Sequence, residues 1–126
     1  MKLTEPEWLI MNALWEKHPA RAREVGERLP AGINWAYTTV KTMLDRLVVK
    51  KAVRKRMKGN VGRYEPVLSR RQARTTALRN LLDHAFDGAF GPMMHFLVEH
   101  EKLSARERNE LIQILEGREG KKGERK

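Results

Sequence analysis

The chain has no cysteine. That absence excludes disulfides, thiolate nucleophiles and thiolate metal sites together. No run of about 20 consecutive apolar residues exists to span a bilayer. The opening Met1-Lys2-Leu3-Thr4 lacks the apolar stretch of a secretory signal. A cytoplasmic protein with no membrane insertion is the expectation. No nucleophile motif, phosphate loop or paired-carboxylate pattern occurs, so neither catalysis nor a cofactor is expected. His18, His84, His95 and His100 come no nearer to one another than five residues. That spacing misses the i, i+3 or i, i+4 face that helical metal ligands need, so they read as helix-end and surface residues and no metal site is expected.

Acidic residues are also scarce: 16 Asp+Glu against 26 Lys+Arg, for a net charge of +10. The imbalance is localised. Residues 1–68 carry 14 Lys+Arg against 7 Asp+Glu, residues 69–116 carry 7 against 7, and residues 117–126 carry 5 against 2. A basic head, a neutral middle and a short basic tail point to a polyanionic partner for the head.

Thr4-Glu5-Pro6-Glu7 has the form of a capping box with proline in the first turn. Trp8, Met11, Leu14 and Trp15 then follow helical spacing, so a first helix should run to about Lys17, where His18-Pro19 ends it. A short helix over about residues 20–29 follows. A third is expected over about residues 35–49, with Val40, Met43, Leu44 and Leu47 on one face and Thr38, Lys41, Thr42, Asp45 and Arg46 on the other. Two extended runs around a Gly59-Asn60 turn predict a β-hairpin whose first strand places Arg54, Arg56 and Lys58 on one face.

Ser69-Arg70-Arg71-Gln72 is a second capping box. It opens a long amphipathic helix with Leu78, Leu81, Leu82, Ala85 and Phe86. Gly91-Pro92 starts another helix, with Met93, Met94, Leu97 and Val98. Ser104-Ala105-Arg106-Glu107 starts the last, with Leu111, Ile112, Ile114 and Leu115, which Gly117 should stop. Residues 117–126 are expected to be disordered.

Three helices and a basic hairpin make a winged helix-turn-helix head, followed by a helical tail: a mainly α protein with a small β-hairpin wing. The third helix can lie in the major groove, where Lys41 and Arg46 can donate to guanine or phosphate and the threonines can touch bases or backbone. Arg54, Arg56, Lys58 and Arg63 would follow phosphates. The tail is too small to bury its apolar residues within one subunit. Leu78, Leu81, Leu82, Phe86, Met93, Met94, Leu97, Leu103, Leu111, Ile112 and Leu115 are therefore expected at a dimer interface, in preference to a hydrophobic ligand pocket. The competing class is a basic architectural or RNA-binding protein without sequence preference.

Leu3-Thr4-x-x-Glu7-Trp8-x-x-Met11-x-x-Leu14-Trp15, together with Trp35-Ala36-Tyr37-Thr38-Thr39-Val40-x-Thr42-x-Leu44-x-Arg46-Leu47, resembles the penicillinase and methicillin-resistance repressors. Met94-His95-Phe96-Leu97-Val98-Glu99, Leu103-Ser104 and Glu110-Leu111 to Leu115 resemble their tail. The resemblance spans residues 3–116 and implies a homodimer on a palindromic duplex operator with TACA/TGTA half-sites, near β-lactamase or related genes. It implies that Trp35, Ala36, Tyr37, Thr38 and Thr39 join the DNA-binding set. It also implies a membrane sensor protease system that relieves repression by cutting the tail, where His95-Phe96 stands in place of the family's Asn-Phe pair. A copper-sensing branch uses a cysteine cluster that this chain lacks.

Overall fold

The computed structural model describes residues 1–100 and 103–122, with side chains placed as far as Gln113. In chain order the elements are α1 (Glu5–Glu16), α2 (Ala22–Glu27), α3 (Tyr37–Val49), β1 (Val53–Lys58), β2 (Val61–Pro66), α4 (Arg70–Phe86), α5 (Phe90–His100) and α6 (Ala105–Lys122). The molecule is mainly helical, with one two-stranded antiparallel hairpin among the described residues.

All three expected capping boxes form. Thr4 Oγ1 accepts from the Glu7 amide at 3.3 Å, and Glu7 Oε1 accepts from the Thr4 amide at 2.8 Å. Ser69 with Gln72, and Ser104 with Glu107, repeat the exchange at the starts of α4 and α6. Each box satisfies amides that the helix cannot pair internally, which contributes about 1 kcal/mol.

Two compact units divide the chain, one over Met1–Asn80 and one from Leu81 onward, so the boundary falls inside α4. The first unit is a winged helix-turn-helix head. Its core brings Ile10, Met11 and Leu14 of α1 against Val25 of α2 and against Val40, Leu44 and Leu47 of α3. Each of these side chains is essentially inaccessible to solvent, which stabilises the fold by about 1.5–3 kcal/mol per residue. A Schellman turn closes α3: Ala52 N–H donates to Leu47 O at 2.9 Å and Lys51 N–H to Val48 O at 3.0 Å, with Lys51 left-handed at φ 67°. The turn brings Lys50 Nζ within 2.7 Å of Glu7 Oε1, tying the end of α3 to the start of α1.

The hairpin pairs Val53 with Pro66, Arg54 with Glu65, Lys55 with Tyr64, Arg56 with Arg63, Met57 with Gly62 and Lys58 with Val61. Its turn is the two residues Gly59-Asn60, the Gly-Asn turn expected. Gly59 takes φ 62° while Asn60 does not enter the left-handed region, as the first position of a II′ turn requires. Ala20 pairs with Tyr64 through two backbone bonds of 2.9 and 2.8 Å. That bridge draws Ala20 out of α2, which is why α2 is shorter than its sequence suggests.

α3 starts at Tyr37, two residues later than expected, because Ala36 is extended (φ −63°, ψ 154°) and serves as its N-cap. In the second unit the end of α4 meets α5 through Phe86 and Phe96. Leu82 and Met93 are buried there, and the Phe96 ring lies 5.9 Å from Phe86 and 4.3 Å from His100. Gly117 does not end α6, which runs to Lys122. The side chains of Ile114 and Leu115 and the whole of residues 123–126 fall outside the described residues. No described helix is long and apolar enough to cross a membrane.

Candidate nucleic-acid interface

The outward surface of α3 is built from two stripes. Residues four apart on a helix lie on one face, each 40° round from the last. Tyr37, Lys41 and Asp45 make the first stripe; Thr38, Thr42 and Arg46, 100° further round, make the second. The core side of the same helix holds Val40, Leu44 and Leu47 fully buried and Met43 half-buried, so the amphipathic phase is fixed by packing. No side chain caps α3 at Ala36.

The hairpin also has two faces. Val53, Lys55, Met57, Gly62 and Tyr64 face one way; Arg54, Arg56, Lys58, Val61, Arg63 and Glu65 face the other. On the outer face Glu65 Oε1 accepts from Arg54 Nε at 3.1 Å and lies 3.5 Å from Arg56 Nε. Arg56 sits directly opposite Arg63, a like-charge pair that destabilises a free hairpin. Among the described residues neither Lys58 nor Arg63 has an ion-pair partner. The outer face is therefore four cations around one carboxylate.

The inner face fastens the wing to α3. Tyr64, 1% exposed, donates from its hydroxyl to Asp45 Oδ1 at 3.1 Å. Lys55 Nζ lies 3.8 Å from the same oxygen and 5.5 Å from the centre of the Tyr64 ring. Burial, and the Asp45 carboxylate at its hydroxyl, push the Tyr64 phenol up to about 12. Tyr64 is thus a neutral donor, and Asp45 is its acceptor.

Eleven of the twelve residues expected at a DNA surface are exposed: Ala36, Tyr37, Thr38, Thr39, Lys41, Thr42, Arg46, Arg54, Arg56, Lys58 and Arg63. Trp35 is half-buried and packs on the head core. Asp45, assigned by periodicity to the solvent face of α3, instead meets the wing and is half-buried. Sequence reasoning missed Lys55 and Tyr64, although the strand alternation that selects Arg54 and Arg56 already sends Lys55 to the opposite face. It also missed Arg21 and Arg23. With Lys41 and Lys55 they line a groove of about 450 Å³ between the start of α2, the first turns of α3 and the wing. Nothing local in the sequence brings Arg21 and Arg23 to that place.

In the second unit the expected interface residues divide by exposure. Leu81, Leu97 and Ile112 are exposed, as is Leu78 at the end of the head unit. Phe86, Met94, Leu103 and Leu111 are half-buried, while Leu82 and Met93 are buried within the chain itself. His95 and Phe96 are exposed on α5, and the Phe96 carbonyl lies 3.2 Å from His100 Nδ1.

Comparison with known proteins agrees with this architecture. The penicillinase repressor family model matches residues 3–117. The chain is similar to a penicillinase repressor from Bacillus licheniformis, 28% identical over 98% of this chain and 96% of that protein. It is similar to the methicillin resistance regulatory protein MecI of Staphylococcus aureus, 25% identical over 90% of this chain and 93% of the other. The transcriptional regulator BlaI of Mycobacterium tuberculosis is 32% identical to it, over 98% of this chain and 90% of that one. A winged head with an exposed Thr/Lys/Arg face on α3, matched almost end to end, places the chain in the penicillinase repressor family of transcriptional repressors.

Proposed function

We propose that the protein is a homodimeric repressor of a palindromic duplex operator, controlling β-lactamase or related resistance or stress genes from the cytoplasm. The observation that carries this reading is the exposed face of α3 beside the cationic outer face of the wing. A helix of this width enters the major groove, where threonine and arginine side chains meet base edges. Arg54, Arg56, Lys58 and Arg63 then lie along phosphates, which adds affinity without sequence information.

Exposed Leu81, Leu97, Ile112 and Phe96 support the dimer, since a symmetric contact covers the same apolar stripe twice. Leu78 is an exposed apolar side chain of the first unit. Leu82 and Met93, buried within the chain, serve the tail's own packing. Release of repression follows a cut at His95-Phe96 by a membrane sensor protease system. The bond lies within α5, so that helix must open locally before any protease reaches it.

The test is fluorescence anisotropy with duplexes from the promoters flanking the gene, against a scrambled duplex at physiological salt. An operator preference of roughly 10³-fold or more supports a repressor. A ratio near one supports a non-specific architectural protein.

A further inference from the structure

We propose that Tyr37 and Lys41 of the first α3 stripe, with Arg23 of α2 and Lys55 of the wing, form a seat for one backbone phosphate of the duplex. Base discrimination then falls to the neighbouring stripe of Thr38, Thr42 and Arg46. The proposal rests on the DNA-binding reading above and divides its labour between the two stripes.

Asp45 fixes the direction of its stripe, because its carboxylate meets Tyr64 and Lys55 of the wing. Lys41, one turn earlier, therefore faces the wing side, and it lines the groove there with Arg21, Arg23 and Lys55. The charges in this groove do not balance. Arg21 is bonded to Glu24 at 3.3 Å, and Lys55 is held by Asp45 at 3.8 Å. Arg23 and Lys41 have no ion-pair partner among the described residues, and both are exposed.

Two uncompensated cations lining one groove repel each other, and an anion between them turns that repulsion into attraction. Of the other polar groups of the lining, the Tyr64 hydroxyl is already given to Asp45, while the Tyr37 hydroxyl and the Asn60 amide can both donate hydrogen bonds. An apolar ligand would strip water from these cations without compensating them. A phosphate suits both charge and donors, and a duplex lying along α3 and the wing would present one.

The second stripe has a different chemistry. Thr38 and Thr42 are short, exposed and able both to donate and to accept, which suits base edges and the thymine methyl. Lys41 is thereby a positioning contact, although its residue type alone allows either role.

The full-length chain is tested on operator and scrambled duplexes across a salt series. Arg23→Ala and Lys41→Ala should each weaken binding about 5- to 50-fold, equally on both duplexes, and flatten the log–log salt slope by up to about 0.9. Arg23→Lys should recover most of the affinity. Thr42→Val should instead lower the operator-to-scrambled ratio and leave the salt slope unchanged. Lys41→Ala that weakens only the operator, or slopes that do not move, overturns the seat while leaving the DNA-binding reading in place. Wild-type protein that binds no duplex at all overturns both. Displacement of the duplex by submillimolar inorganic phosphate, with saturable shifts of Arg23 and Lys41 resonances, would assign the groove to a small free anion and overturn the backbone assignment.

Discussion

The Tyr64 hydroxyl donates to Asp45 at 3.1 Å, and this bond joins the wing to the helix beside it. Tyr64→Phe should lower unfolding stability by about 1 kcal/mol, the net value of one intramolecular hydrogen bond. Its effect on DNA should be larger on affinity than on the operator preference, because it loosens the wing and leaves Thr38 and Thr42 in place. The phenol also has an alkaline signature. Its pKa is raised from 10.0 to about 12 in the folded chain, so its contribution is complete below pH 10 and is lost between about pH 10 and 12. Denaturant melts through that window should show a decline that Tyr64→Phe lacks.

Glu7 predicts the opposite, acidic limb. It is buried, and burial alone would raise its pKa. The hydrogen bond from Lys50 and those from Thr4 outweigh burial and hold it below 4.5. A carboxylate depressed in the folded state stabilises above its unfolded pKa and loses that contribution as pH falls through the folded value. Stability should therefore drop below about pH 4.5 in the wild type and drop less in Glu7→Gln. At pH 7 the same substitution should cost about 1 kcal/mol, since Lys50 then meets a neutral amide oxygen in place of a carboxylate.

Glu65 restrains the wing. It accepts from Arg54 and neighbours Arg56, so Glu65→Gln frees both guanidinium groups and removes the one carboxylate on the outer face. Affinity should rise on operator and scrambled duplex alike, measured by anisotropy at low salt. Neutralising Arg54, Arg56 and Lys58 together should do the reverse, weakening both and flattening the salt slope by up to about 0.9 for every phosphate the wing no longer neutralises. A triple variant whose slope matches the wild type would show that the hairpin stays clear of DNA.

What the sequence made legible was local. Capping boxes at Thr4, Ser69 and Ser104, the 40–44–47 apolar phase of α3 and the alternation of Arg54, Arg56 and Lys58 each depend on neighbours within a few residues. Pairing across distance is what it hides. Ala20 reads as helical because nothing nearby announces Tyr64, 44 residues on, as its bridge partner. Arg28 donates to the carbonyls of Ala13 at 3.0 Å and Lys17 at 2.6 Å, finishing α1 from the C-cap of α2. Periodicity misplaces Asp45 for the same reason, since a helical wheel shows which residues leave the core but not what meets them outside it.

Truncation gives a further expectation. The head's core includes Ala73, and Arg70 stacks over Trp15 at 5.5 Å while the Trp15 indole donates to Leu68 O at 2.9 Å. A fragment ending at Asn80 should melt higher than one ending at Leu68, in calorimetry on the two side by side. Both should be monomeric by light scattering if the tail makes the dimer, and both should bind a palindrome weakly, because separate heads lose their effective concentration. A tight dimer of the shorter fragment would move the interface into the head.

On the proposed function, the facing Arg56 and Arg63 would bear on how a target is found as well as how it is held. A surface whose charges repel one another is relieved by any stretch of duplex, whatever its bases. Time between operators would then be spent on chromosomal DNA, sliding and hopping along it, with little spent free in solution. Arrival at the right site would then be a one-dimensional search whose speed depends on ionic strength. A wing made neutral would lengthen the search even where the final complex kept its sequence preference.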